Sequence, residues 1–166
     1  MTVSNSAYLK GHFDASRAIG AKVIASDFAV EFKGFENMWL LCKQFPWPIT
    51  SSQGEIEVPG PLGVVVYQPQ QIKVAHQGQL SLLETVAGSV DQMLVNMIAS
   101  GGVFDGTVYE GTPQKYLRKK SFVDAFMQMD DPDRDWENRS QVLQFSGTIF
   151  YHYFGDTQAG NSADYR

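Results

Sequence analysis

Asp131, Asp133 and Asp135 recur at every second position, the spacing at which a calcium-binding loop presents its first oxygen ligands. Such a loop needs glycine at its sixth position and a bidentate glutamate at its twelfth. Here those positions hold Trp136 and Val142, so 130–135 reads as a solvated acidic turn. His12, His76 and His152 form no HxH or HxxxH pair, and His152, between Tyr151 and Tyr153, reads as a packing or interface residue. Cys42 is the only cysteine, which excludes an intrachain disulfide and a cysteine-built zinc site. Within Trp39-Leu40-Leu41-Cys42 it reads as a buried, unreactive thiol. Lys115, Arg118, Lys119 and Lys120 are the one basic cluster, and in a strand Lys119 and Lys120 face opposite ways. Solubilising or ion-pairing roles suit them better than phosphate binding, with the acidic stretch 130–137 of a neighbouring subunit as the expected partner. No P-loop, Gly-x-Ser-x-Gly elbow or GxGxxG run occurs. No catalytic, metal or cofactor residues are predicted.

The composition narrows the field further. The 166 residues are 43% hydrophobic and only 19% charged, with a net charge of −5. That suffices for one full core and excludes a disordered chain. Aromatic residues are abundant, at 13%, so some of that surface is expected to be covered by something other than water. Residues 53–110 hold six acids (Glu55, Glu57, Glu84, Asp91, Asp105, Glu110) against Lys73 alone, which is no composition for gripping nucleic acid. No run approaches the ~20 apolar residues of a membrane span. Residues 1–11 carry no cationic stretch leading into an apolar one, so no secretory signal is expected and the sequon Asn138-Arg139-Ser140 is read as inconsequential.

The chemistry-poor surface must be positioned by a β-rich fold. Residues 1–26 read as an N-terminal arm without strong periodicity, 27–154 as a single domain and 155–166 as a loose polar C-terminal tail. Phe28, Val30 and Phe32 alternate with polar neighbours, and Gly34 is expected to turn this strand into a second at 38–42, stopped by Phe45-Pro46-Trp47-Pro48. Four strands are expected at 55–58, 64–67, 71–76 and 79–86, divided by Pro59-Gly60-Pro61, Gly63, Gln68-Pro69 and Gln77-Gly78. The first pair is proline-bounded and apolar on both faces, so it reads as a projecting hairpin arm covered by another chain. Residues 89–100 are the one predicted helix, with a Ser89/Gln92 capping box and a stripe of Val90, Met93, Leu94, Met97 and Ile98. A loop centred on Asp105-Gly106, a strand over 115–129 and an overlong strand over 141–154, bent or bulged at Gly147, complete the pattern.

Taken in order, the strand pair ending Trp39-Leu40-Leu41-Cys42-Lys43 with its proline break, the hairpin arm, Gln79-Leu80-Ser81-Leu82-Leu83-Glu84-Thr85 leading to the helix, and the closing Phe145-Ser146-Gly147-Thr148-Ile149-Phe150-Tyr151-His152-Tyr153-Phe154 resemble the tail tube proteins of contractile-tailed bacteriophages. More remotely they resemble the haemolysin-coregulated tube proteins of type VI secretion. The resemblance implies a mainly β (α+β) fold, an antiparallel β-barrel or sandwich with one flanking helix and a projecting hairpin arm. It implies a virion protein, assembled in the host cytoplasm, whose hexameric rings stack into the inner tail tube. The implied partners are the tail sheath, tape measure and baseplate proteins, with genomic DNA passing through unbound. Expected subunit contacts are Val58, Pro59, Gly60, Pro61, Val64, Val66 and Tyr67 on the arm and Phe150, Tyr151, Tyr153 and Phe154 on the last strand. Glu55, Glu57 and Glu84 are the lumen candidates, against the alternative that they solubilise the outer surface. A baseplate or tube-terminator protein of the same fold stays open, as does, more remotely, a monomeric small-ligand β-barrel carrier.

Overall fold

The computed structural model describes residues 5–164. Among the described residues there are nine strands, every pairing antiparallel, two α-helices and two short 3₁₀ turns. The strands are β1 (Ala29–Phe32), β2 (Cys42–Gln44), β3 (Glu55–Pro59), β4 (Val65–Pro69), β5 (Ala75–Leu83), β6 (Phe104–Gly111), β7 (Tyr116–Met129), β8 (Gln144–His152) and β9 (Thr157–Ala159). The helices are α1 (Ser6–Ala18) and α2 (Ser89–Ala99). Seven strands form one sheet in the order β1-β6-β7-β8-β5-β2, with β9 also on β7, while β3 and β4 stand apart as a two-stranded arm. The sheet is not closed into a barrel; it folds over on itself as a sandwich.

The fold-over depends on β7. Its 14 residues serve both halves, pairing with β6 and β9 near Arg118–Lys120 and with β8 from Val123 onward. Between them Asp124 takes a left-handed backbone conformation (φ 46°), which an aspartate tolerates better than a branched side chain. Its N–H donates to the Asp105 carboxylate at 3.1 Å, fixing the kink where the register slips. Inside the fold lie Phe32, Leu80, Leu82, Val108, Phe122, Ile149, Tyr151 and Tyr153, with Val90, Met93 and Met97 of α2 closing one side. Phe45, from the proline-rich segment, stacks on Phe122 at 5.5 Å and carries the aromatic packing across.

Several expectations are corrected. Residues 38–42 are not the second half of a hairpin: Glu36–Leu41 is a 3₁₀ turn, closed by Cys42 N–H to the Trp39 carbonyl, and β1 pairs with β6 instead. Gln77-Gly78 does not separate two strands, because Gly78 lies inside β5 where a Cβ would sit 2.5 Å from the Pro46 ring. Asp105-Gly106 lies in β6 rather than at the centre of a loop; a Cβ on Gly106 would meet the Phe122 ring at 2.3 Å and the Glu31 carbonyl at 2.6 Å. The closing strand is nine residues, not fourteen, and its register with β5 runs unbroken through Gly147. Gly147 is instead a close approach, its hydrogen facing the Gln128 carbonyl, where a Cβ would stand 2.1 Å away.

Residues 89–100 do hold a helix, but Ser89 and Gln92 do not cap it. The N-cap is Gly88, and the first-turn amides are met by the Glu84 carboxylate and the Thr85 hydroxyl. Ile98 faces solvent and Leu94 is half-buried, so the buried stripe is narrower than the spacing implied. The stretch read as a loose tail carries β9, and Asn161 ties it further, donating to the Gln114 carbonyl and accepting from the Tyr116 N–H. No helix among the described residues is long and apolar enough to cross a membrane.

Candidate assembly surface

The arm begins at a hydrogen-bonded root. Ser52 and Ile72 form an isolated bridge, and the Ser52 hydroxyl donates to the carbonyls of Gly54 (2.8 Å) and Gln70 (3.2 Å). The Gln70 amide donates to the Glu55 carbonyl at 2.9 Å. From there β3 and β4 run in continuous register, Glu55 opposite Pro69 through Pro59 opposite Val65. Pro61 opens the 3₁₀ turn at the tip, where Leu62 and Gly63 both adopt positive φ (57° and 80°) and Gly60 N–H donates to the Val64 carbonyl at 2.6 Å. Alternation places Ile56, Val58, Val66 and Gln68 on one face, the aliphatic one, and Glu55, Glu57, Pro59, Val65, Tyr67 and Pro69 on the other.

All ten strand residues of the arm are exposed, and Leu62 at its tip is fully so. Of the predicted arm contacts, Val58, Pro59, Pro61, Val64, Val66 and Tyr67 are exposed and Gly60 is partly so. A two-stranded ribbon with an apolar side to water is marginal in isolation.

The last-strand candidates divide. Phe154 is exposed, and Phe150 stacks on Phe126 on the outer face of the sheet with centroids 5.0 Å apart. Tyr151 and Tyr153 point the other way and are buried in the chain's own core. Burial pushes the Tyr151 phenol up to about 12. Tyr153 shares a 2.7 Å hydrogen bond with Thr157, and the Lys120 ammonium lies over the rings of Tyr153 and Trp47 while donating to the Pro48 carbonyl at 2.6 Å. Side-chain period two decides this: along Phe150-Tyr151-His152-Tyr153-Phe154 only alternate positions face outward to a neighbour.

The acids divide too. Glu55 and Glu57 stand exposed on the arm. Glu84 sits at the N-terminus of α2, where it accepts from Thr85 N–H (2.7 Å), Val90 N–H (3.0 Å) and Asp91 N–H (2.9 Å). Burial pulls its pKa upward, and the three amide donors outweigh that to leave it below the usual carboxylate range.

The basic cluster is spent locally. Arg118 grips the nearly buried Glu110 through two hydrogen bonds of 2.6 and 2.8 Å, a partner inside the same chain rather than the acidic turn of a neighbour. Cys42 donates to the Gln44 carbonyl at 3.5 Å, and burial pushes its thiol up to about 12. Among the described residues no three His, Cys, Asp or Glu side chains gather to hold a metal.

Sequence reasoning missed α1. Tyr8, Leu9, His12 and Phe13 share one helical face and Lys10, Asp14 and Arg17 the other, yet the helix buries none of its residues. The Tyr8–His12 edge contact at 4.3 Å is the i, i+4 signal that could have found it.

No protein-family model and no curated protein matches the sequence. Among solved structures the chain is similar to one in the sheath-tube complex of the extracellular contractile injection system PVC, in the extended state. Identity there is 14%, with 87% of this chain and 97% of that one covered and a TM-score of 0.57. It is likewise similar to a chain in the PVC sheath/tube terminator, with 15% identity, 85% and 99% covered and a TM-score of 0.56. A chain of the six-fold symmetrised anti-feeding prophage (AFP) baseplate gives 13% identity, 84% and 95% covered and a TM-score of 0.50. The chain thus has the fold shared by tube, terminator and baseplate components of contractile injection systems, in agreement with the tail tube resemblance read from its sequence.

Proposed function

We propose that the chain is a structural, non-enzymatic subunit whose copies close into hexameric rings, which stack into the inner tube of a contractile phage tail. The observation that carries this is the β3–β4 arm: ten exposed strand residues, wholly aliphatic but for Gln68 on one face, that cover nothing among the described residues of their own chain. A neighbouring copy supplies that cover. Likeness to a chain of a sheath-tube complex supports the tube position, and the six-fold symmetrised baseplate supports the ring order. The tail sheath then surrounds the tube, the tape measure protein occupies it before ejection, and the baseplate closes its end. Assembly takes place in the host cytoplasm and the product is part of the virion. Genomic DNA passes without sticking, because a net charge of −5 per copy offers no continuous track of lysines and arginines to phosphate. Glu55 and Glu57, opposite the aliphatic face of the arm, keep the lumen role; Glu84 shares its charge with the Thr85 amide and two amides of α2.

A tube-terminating or baseplate ring is the second reading, favoured by likenesses to terminator and baseplate chains close to that for the tube complex. Negative-stain images of the purified protein separate the two: long tubes support the tube subunit, single rings the terminator or baseplate. A strictly monomeric protein at high concentration and moderate salt sinks both and favours the ligand carrier.

A further inference from the structure

Two elements of this chain expose apolar faces that nothing among the described residues covers. One is the arm, with Ile56, Val58 and Val66 on its aliphatic side. The other is α1, whose Tyr8, Leu9 and Phe13 are all exposed and whose 13 residues bury nothing. Neither is stable alone: a helix of that length is marginal in water, and so is a two-stranded ribbon. Their dimensions agree, about 20 Å for the helix and about 17 Å for the five-residue strands. Their charges are opposite. Residues 5–26 carry Lys10, Arg17 and Lys22 against Asp14, whereas 53–72 carry Glu55 and Glu57 and no basic residue.

We infer that α1 of one copy lies along the aliphatic face of the β3–β4 arm of another copy, so that each element completes the other across the subunit boundary. The occupant of the arm is therefore a second copy of this chain, and a specific segment of it. The helix is already closed at both ends for a free-standing life: the Asn5 side chain accepts from Ala7 N–H at 3.0 Å, and the Lys22 ammonium donates to the carbonyls of Ser16 and Gly20. What it lacks is a partner for one side. Docking on the aliphatic face leaves Glu55 and Glu57 on the far side of the ribbon, still facing outward, so the opposite charges of the two elements steer their encounter rather than pair across the contact.

This rests on the ring assembly proposed above, and the test separates the two. Leu9→Cys and Val58→Cys are made in differently tagged chains, which are mixed, assembled and oxidised. Cys42 does not compete, because its thiol is half-buried and held far from ionisation. The expected result is a disulfide-linked heterodimer at least tenfold more abundant than from Lys10→Cys, on the polar face of α1, mixed with Val58→Cys. A chain carrying both Leu9→Cys and Val58→Cys is expected to give a ladder of linked chains. If that double variant closes on itself as a monomer, the contact is within one copy and the inference is overturned. If rings form on negative stain and no heterodimer appears, the inference falls and the assembly stands. If no rings form at all, both fall. Phe13→Asp gives an independent reading: it should weaken assembly at least tenfold in critical concentration with an unchanged melting curve, whereas loss of the body's cooperative unfolding would show that α1 packs on its own chain.

Discussion

The sheet with α2 and the pair of extensions, α1 and the β3–β4 arm, are built on opposite terms. In the body, Val30, Phe32, Leu80, Leu82, Val90 and Ile149 are wholly out of water, and every sheet strand has a neighbour. In the extensions not one strand or helix residue is buried. The same chain therefore separates what makes it fold from what makes it join. Substitutions in one region should move the melting temperature and leave the contact chemistry alone, and substitutions in the other should do the reverse.

The largest effect on folding is expected at Gly147. Its missing side chain lets the Gln128 carbonyl and Met129 Cα approach to 2.1 and 2.7 Å of the Cβ position. Both neighbours are backbone, so no rotamer change relieves the clash. Gly147→Ala should abolish cooperative unfolding, measured by circular dichroism, and a native-like melt would show that β7 and β8 separate more easily than their shared register implies.

Next comes Phe122→Ala. Phe122 is 1% exposed and contacts Phe45, Phe104 and Tyr151 with centroids 5.5–6.4 Å apart, so its truncation should cost about 3–5 kcal/mol in a urea titration. Met93→Ala on α2 should cost about 2–4 kcal/mol, while Val95→Ala, on the exposed side of the same helix, should stay within about 0.5 kcal/mol. Equal costs at Met93 and Val95 would mean that α2 is not held against the sheet by this face.

How much of this was legible follows the same division. The arm was read to within a residue or two, because Pro59, Pro61 and Pro69 punctuate it and proline acts locally. Helix α2 was legible because the core imposes a stripe, although Ile98 falls outside it. Helix α1 was harder to read, since no core extends the short face of Tyr8, Leu9, His12 and Phe13 into a longer stripe. Glycine inside strands misled most: Gly78, Gly106 and Gly147 look like turn signals, yet each is there to admit the Pro46 ring, the Phe122 ring or the Gln128 carbonyl. Such approaches join residues that lie far apart in sequence, as Gly78 and Pro46 do, and no local pattern reports them. The inward turn of Tyr151 and Tyr153 followed from strand alternation, but an all-aromatic run hides which phase is the inner one.

A smaller effect belongs to Glu84, which joins the sheet to the helix. Glu84→Gln should cost about 1 kcal/mol by weakening its bonds to the Val90 and Asp91 amides. The sign with pH follows from its lowered pKa: an unfolded glutamate titrates near about 4.3, so the stabilisation is fully present above that value and is lost as pH falls through the lower folded value. Urea midpoints between pH 6 and pH 3 should therefore fall more steeply for the native protein than for Glu84→Gln. Parallel curves would remove the carboxylate from the account of the helix start.

The smallest effect on folding, and the sharpest test of the division, is removal of the arm. Ile56 and Gln68 are direct partners in the β3–β4 register, so residues 57–67 can be replaced by Asn-Gly, a two-residue turn suited to closing an antiparallel pair. The root survives, because Ser52, Gly54 and Gln70 keep their hydrogen bonds. Nothing removed is buried, so no cavity opens and no core contact is lost, and the melting curve should shift by no more than about 0.5 kcal/mol. The shorter chain should nevertheless remain monomeric at concentrations where the parent forms rings or tubes, read by light scattering and negative stain. A large loss of stability would show that the arm supports its own body. Retained tubes would move the subunit contact elsewhere, with Phe150, Phe126 and Phe154 on the outer face as the next surface to examine.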